Sequence, residues 1–120
     1  MAVGYLYDVV IDCPEPAVVA EFYVKVLGGE IVDPTPQWMT MRTPSGMRVS
    51  FQQVDDYSPP QWPGQEHPQQ IHLDVMVTDL DESEPLVLAL GAKLLQGSEK
   101  STGFRVYADP AGHPFCLVTN

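Results

Sequence analysis

The sequence has few cationic side chains and few cysteines. Only six Lys and Arg residues stand against sixteen Asp and Glu residues, which gives a net charge of −10. This charge repels phosphate backbones and anionic lipid, so we expect neither a nucleic-acid partner nor a membrane partner. Two cysteines, Cys13 and Cys116, are too few for a disulfide framework, and their spacing fits no zinc motif.

Long apolar runs are missing as well. No run approaches the roughly 20 residues that a membrane-spanning helix needs. The first residues carry no basic segment ahead of an apolar stretch, as a signal peptide would. Hydrophobic residues make up 44% of 120 residues, which is typical of one globular domain. We therefore expect a single cytoplasmic domain.

The sequence contains an internal repeat. Three segments of the first half have counterparts in the second half, in the same order: 8–15 with 72–79, 26–32 with 89–95, and 38–52 with 104–118. Each half predicts a strand, a helix that ends at glycine, and three further strands. These strands are predicted at about 29–33, 37–42, 47–53, 92–96, 103–108 and 114–119. The buried helical stripes are predicted to be Val18, Val19, Phe22, Val26 and Leu27, and then Leu86, Val87 and Leu90.

Each half is thus a predicted βαβββ module, the first over about 4–54 and the second over about 70–120. The connector over about 55–69 is rich in proline and is excluded as a central strand. We expect the two modules to form one domain over residues 1–120.

Several segments carry a family resemblance: "DCPEPAVVAEFYVKVLGGE", "QQIHLDVMVTDLD", "LGAKLL" and "ADPAGHPFCLV". They resemble the vicinal oxygen chelate superfamily (glyoxalase I, bleomycin-resistance proteins and extradiol dioxygenases), above all its glyoxalase-like branch. The resemblance implies an α+β fold in which two βαβββ modules form an open, curved, barrel-like sheet, with helices outside and a small organic ligand inside. It also implies a homodimer.

The resemblance further implies where a metal would bind. Metal-dependent members hold a divalent ion with four side chains, usually His and Glu, from the first and last strands of both modules. The matching positions here are Asp8, Ser50, His72 and Cys116. Because the two last-strand positions lack the carboxylates that hard metals prefer, we expect no metal cofactor. The alternative is zinc or nickel on Asp8, His72 and Cys116.

Strand alternation gives an independent assignment of the cavity face. It places Asp8, Arg48, Ser50, His72, Asp74 and Cys116 on one face, with Trp38 as a candidate apolar wall. His72 then has two interpretations, a histidine hydrogen-bonded to Asp8 or a metal ligand. Cys116 is either an apolar filler or a nucleophile, and the second role requires a nearby cation such as Arg48.

Three functions remain open at this point. The first is metal-free binding of a small organic molecule by Asp8, Trp38, Arg48, Ser50, His72 and Cys116. The second is a metal-dependent lyase, isomerase or dioxygenase. The third is metal-free acid–base catalysis by His72, oriented by Asp8. Glyoxalase I activity is disfavoured because the carboxylates are missing.

Overall fold

The computed structural model describes residues 2–120. Its elements are β1 (Val9–Cys13), α1 (Pro16–Leu27), β2 (Glu30–Thr35), β3 (Trp38–Arg42), β4 (Arg48–Gln53), β5 (Leu73–Met76), α2 (Leu80–Ala89), β6 (Lys93–Gln96), β7 (Phe104–Ala108) and β8 (Pro114–Val118). The predicted α+β fold with a repeated βαβββ order is confirmed. Each predicted strand agrees with an observed one to within about two residues. No helix within residues 2–120 is long and apolar enough to cross a membrane.

The strands form two sheets of four with the same topology. Their orders are β1-β4-β3-β2 and β5-β8-β7-β6. In each sheet the first strand pairs parallel with the last, because a helix connects it to the remaining strands, and the other pairings are antiparallel. The repeat seen in the sequence is therefore a repeat of hydrogen-bonding pattern.

The chain divides into two compact units, one ending at Tyr57 and the other beginning at Ser58. We call them the first unit and the second unit. The division falls near the start of the predicted connector, so that most of the connector belongs to the second unit.

Helix α1 packs on the first sheet through aromatic rings. Tyr23 stacks on Phe51 with 5.7 Å between ring centroids, and Phe22 meets the Tyr23 ring edge-on at 4.9 Å. Both helix residues are buried, whereas Val18 is 47% exposed. The prediction that Val18 faces inward was wrong. The buried stripe runs through Val19 and Tyr23, four residues apart, and Val18 lies beside it.

Helix α2 has a weak apolar face. It begins at a cap in which the Asp79 side chain accepts a hydrogen bond from the Glu82 N–H at 2.9 Å. Leu80 and Val87 are its buried residues. Leu86 is 67% exposed, so its predicted place in the buried stripe was wrong. The physical reason is that the buried residues Leu80 and Val87, seven apart, define the inward face, and Leu86 lies beside that face.

A buried arginine anchors α2 to the second sheet. Arg105 on β7 is 4% exposed. Its guanidinium donates to Asp81 Oδ1 at 2.6 Å, to the Lys100 carbonyl at 3.0 Å and to the Leu80 carbonyl at 3.3 Å. The hydrogen bond with Asp81, more than any other interaction, raises the pKa of Arg105 above its ordinary value. The helix is thus attached by polar contacts where it lacks apolar ones.

Tyr107 extends this anchor. It lies on the same face of β7 as Arg105, and its hydroxyl donates to Glu84 Oε1 at 2.8 Å. Glu84 also lies 3.5 Å from the Arg105 guanidinium. Burial, and after it the Glu84 carboxylate, raise the pKa of Tyr107 above its ordinary value of 10.0. Arg105 and Tyr107 together bind two turns of one helix.

The tight turns before the last strands confirm the repeat in detail. In the turns over 43–47 and 109–113 the first N–H donates to the last carbonyl, at 2.8 and 2.9 Å. Each turn places a glycine at its fourth position, Gly46 with φ 90° and Gly112 with φ 88°. Positive φ is accessible to glycine at little cost, which explains the Pro-x-Gly pattern in both halves.

Candidate functional site

One face of the second sheet gathers the chemically active side chains. Asp74 on β5 pairs with Cys116 on β8, and Cys116 pairs in turn with Val106 on β7. Directly paired residues point to the same side of a sheet. His72 lies two residues before Asp74, and the alternation along the chain brings it to that side. The structure therefore brings His72 and Cys116 together.

A cavity of about 490 Å³ opens on this face of the second unit. Its apolar walls include Trp62, Phe104, Val106 and Val118. His72, Asp74 and Cys116 also line it. The volume lies within the range of about 300–1,000 Å³ that is usual for small-molecule pockets. Apolar walls with few polar groups are also typical of such pockets.

The polar groups of the cavity form a tight cluster. His72 Nε2 lies 3.1 Å from Asp74 Oδ1. One donor atom from each of His72, Asp74 and Cys116 lies within 4.8 Å of the others. Cys116 is 8% exposed, whereas His72 and Asp74 are open to solvent. The cluster thus contains an imidazole, a carboxylate and a thiol.

The Cys116 thiol is not activated. Burial first, and then the charge and hydrogen bond of Asp74, raise its pKa to about 11. A nucleophilic cysteine needs the opposite shift, from a neighbouring cation. The neighbour here is an anion, so the cluster does not favour a Cys–His nucleophile.

The first sheet carries a different arrangement at the corresponding positions. The Ser50 hydroxyl donates to Asp8 Oδ2 and lies 2.7 Å from Thr40 Oγ1. Trp38 Nε1 donates to the same Thr40 oxygen at 3.1 Å. Ser50 is 0% exposed and Thr40 is 2% exposed. These four side chains form a hydrogen-bonded chain, which we call the hydroxyl ladder.

Arg48 lies beside the hydroxyl ladder. Its guanidinium carbon stands 4.5 Å from the centre of the Tyr7 ring, a cation–π contact. Arg48 Nε and Asp8 Oδ1 are both buried, and neither has a hydrogen-bond partner among residues 2–120. The first unit therefore joins Asp8, Trp38 and Ser50 through direct contacts, with two buried polar atoms left unsatisfied.

The metal set that the resemblance implies does not fit these side chains. Ser50, one of the four positions, is fully buried and its hydroxyl is engaged with Asp8 and Thr40. Cys116 supplies sulfur where hard metals need oxygen. The carboxylate beside His72 within the second unit is that of Asp74.

Sequence reasoning missed several residues of this site. Asp74 was on the predicted cavity face but was not considered as a ligand, although alternation alone would have suggested it. Gln69 lines the cavity and its Oε1 is buried, with no hydrogen-bond partner in the described part of the chain. It comes from the proline-rich connector, where no periodicity indicates direction. Trp62, from the same connector, was not missed: its aromatic ring suggests either a filler between the modules or a border of the ligand opening, and it lines the cavity.

Comparison with known proteins covers nearly the whole chain. The sequence profile of the Glyoxalase-like domain family matches residues 8–118. No curated protein matches the sequence significantly.

Several solved structures share the fold at low identity. A glyoxalase/bleomycin resistance protein/dioxygenase family enzyme from Burkholderia phytofirmans PsJN is 18% identical, with a TM-score of 0.74 over 97% of this chain and 98% of that chain. Fosfomycin resistance protein FosX from Mesorhizobium loti is 14% identical, with a TM-score of 0.73 over 100% and 94%. A glyoxalase-related enzyme from Fulvimarina pelagi is 19% identical, with a TM-score of 0.69 over 98% and 89%.

Proposed function

We propose that this chain, which belongs to the Glyoxalase-like domain family, binds a small organic molecule. That family lies within the vicinal oxygen chelate superfamily that the sequence resembles. The binding would not use the four-residue metal set that is usual there. The observation that carries the proposal is the cavity of about 490 Å³ in the second unit, with apolar walls and a few polar groups. A protein named for fosfomycin resistance shares the fold, but similarity at 14% identity does not identify the ligand.

The polar groups of the cavity would orient the ligand. His72 and Asp74 offer a donor and an acceptor that solvent and ligand can both reach. The buried Gln69 Oε1 offers an acceptor that a ligand N–H or O–H would satisfy. Phe104 and Val106 would contact an apolar ring, since both belong to the wall. A ligand with one flat apolar part and one donor-rich edge suits this arrangement.

The proposal also includes the first-unit residues Asp8, Trp38, Arg48 and Ser50 as ligand-binding residues. Asp8 Oδ1 and Arg48 Nε are the supporting atoms, because each is a buried polar atom whose hydrogen-bonding capacity is unused within residues 2–120. Trp38 is 37% exposed and could stack on a ligand ring. Ser50 would act by holding the Asp8 carboxylate in place.

A dye titration tests the proposal for the second unit. Nile red, a neutral apolar dye whose own emission increases in an apolar environment, is titrated into chelator-treated protein. We expect saturable binding of one dye per chain. Val106→Phe, which fills the cavity, should weaken binding about tenfold, a change of about 1.4 kcal/mol.

The matched control is Leu94→Phe. Leu94 lies in the same sheet, is 40% exposed and pairs with Tyr107, whose side chain is on the helix side. This variant should bind the dye like the wild type. Equal dye affinity in the wild type and Val106→Phe would refute the proposal, as would an absence of saturable binding.

A second candidate function is an enzyme of the lyase, isomerase or dioxygenase kind. The cluster of His72, Asp74 and Cys116 at the cavity favours it, because three potential ligands or proton-transfer groups meet an organic-ligand pocket. Metal-free acid–base catalysis by His72 belongs to the same class, with Asp74 as the orienting group that the distance supports. Following the His72 ring protons by NMR between about pH 5 and 8 distinguishes a titrating histidine from a fixed one.

A further inference from the structure

We propose that His72, Asp74 and Cys116 form a zinc site within the second unit, distinct from the four-residue set that the resemblance implies. The proposal does not depend on the organic ligand, although the ion would lie at the wall of the same cavity. Its basis is that the segment 72–74 and the pairing of β5 with β8 bring three different donor atoms within 4.8 Å of one another.

The backbone positions these donors. His72 and Asp74 are two residues apart and share a face by alternation. Asp74 and Cys116 are directly paired across two strands that run parallel. Asp74 and Cys116 are fixed by the sheet hydrogen bonds, and His72 lies one residue before the start of β5.

The distances suit zinc. Zinc bonds of about 2.0 Å to nitrogen or oxygen and about 2.3 Å to sulfur place tetrahedral ligands roughly 3.3–3.6 Å apart. His72 Nε2 and Asp74 Oδ1 are already 3.1 Å apart, and all three donor atoms lie within 4.8 Å of one another. A side-chain adjustment of about 1 Å would close the remaining gap, and His72 and Asp74 are exposed enough to make it.

The donor set selects the metal class. Thiolate and imidazole are poor ligands for Mg²⁺, Ca²⁺ and Mn²⁺, and good ones for Zn²⁺. Three protein ligands are the number found in zinc sites that keep a position open. Since all three residues line the cavity, the open position would face the space where an organic molecule fits.

The test uses metal titrations of the full chain after chelator treatment. With Co²⁺ as a spectroscopic substitute, we expect one ion per chain and a sulfur-to-cobalt charge-transfer band in the near ultraviolet. Zn²⁺ should displace Co²⁺, and a large excess of Mg²⁺ should not. Cys116→Ser should remove the band, and His72→Ala or Asp74→Asn should weaken zinc binding by about 100-fold.

Two matched controls separate the site from nonspecific binding. Cys13→Ser removes the other cysteine and should keep the charge-transfer band. His67→Gln removes an exposed histidine of the connector and should keep the zinc affinity. A band that survives in Cys116→Ser, or zinc affinity unchanged in both His72→Ala and Asp74→Asn, overturns the proposal.

A measurement on the wild type keeps the test independent of variant folding. Cysteine alkylation followed by peptide mass spectrometry compares the metal-free and zinc-treated protein. Zinc should slow modification of Cys116 and leave that of Cys13 unchanged, and equal protection of both or of neither overturns the proposal. Dye binding is measured without metal, so failure of the organic-ligand proposal and failure of the zinc site give different results.

Discussion

Replacement of Arg105 by Met tests how α2 is held on the second sheet. The substitution keeps an unbranched side chain of similar length and removes the guanidinium. Three hydrogen bonds would be lost, to the carbonyls of Leu80 and Lys100 and to the Asp81 carboxylate. Methionine can occupy most of the space, so loss of packing is a small part of the effect.

The magnitude follows from where each partner lies. A hydrogen bond from a charged donor contributes about 1.5–3 kcal/mol, and two of the lost bonds reach backbone carbonyls. The Asp81 side chain is 63% exposed, so its ion pair with Arg105 is screened and contributes at most about 1 kcal/mol. The removed desolvation cost of the guanidinium offsets part of the sum. We expect a net loss of about 2–3 kcal/mol from a total of about 5–15.

Urea unfolding at pH 7, followed by circular dichroism, measures this loss as a shift in midpoint at constant slope. The comparison variant is Asp81→Asn, which should lose less than about 1 kcal/mol because the carboxylate is exposed. Hydrogen exchange in Arg105→Met should increase first at the amides of α2. Equal losses for the two variants, or no loss for Arg105→Met, would refute the view that the backbone carbonyl contacts hold the helix.

Three further predictions concern other parts of the fold. Gly29→Ala should lower the free energy of unfolding by about 3 kcal/mol or more, because a Cβ there would lie 2.0 Å from a backbone carbonyl oxygen. Its control is Gly46→Ala, also at positive φ but with open space around the Cβ, which should cost only about 1–2 kcal/mol in urea unfolding. The pKa of Tyr107 is raised in the folded state, so its contribution to stability is complete below about pH 10 and is lost as the pH rises above that value. Tyr107→Phe should therefore reduce the alkaline loss of stability seen in unfolding curves between about pH 9 and 11. Ser50→Ala should lower the thermal midpoint by an amount equivalent to about 1–2 kcal/mol, because it leaves the Asp8 carboxylate without its hydroxyl donor, and an unchanged midpoint would contradict this.

The fold was predictable because the repeat and the strand periodicity agree. Two halves that each read as βαβββ leave few topologies, and the turn glycines set the last hairpin of each half. The helix faces were less predictable. The exposed Val18 and Leu86 are each next in sequence to a buried residue. The pattern of apolar residues does not show which of two neighbours, about 100° apart around the helix, faces inward.

The polar contacts of Arg105 and Tyr107 with α2 were also not predicted from the sequence. A single arginine in a strand is normally exposed, and only the acidic pair Asp81 and Glu84, three residues apart on α2, indicated a partner for Arg105. The candidate site was predictable in part, since alternation placed His72, Asp74 and Cys116 on one face. The choice of ligands followed the resemblance instead, and the resemblance contains no position for Asp74.

The two units show how a duplicated sheet can diverge while the backbone stays the same. Thr40 pairs with Ser50 in the first sheet, and Val106 pairs with Cys116 at the corresponding place in the second. The first pair forms hydrogen bonds that use its hydroxyls internally, whereas the second offers a methyl surface and a thiol to a cavity. The Thr40 and Ser50 hydroxyls are already hydrogen-bonded and gain little from a ligand, whereas a face lined by apolar walls with accessible donors gains more. The binding role therefore follows most directly from the second unit, with the hydroxyl ladder of the first stabilising its own sheet.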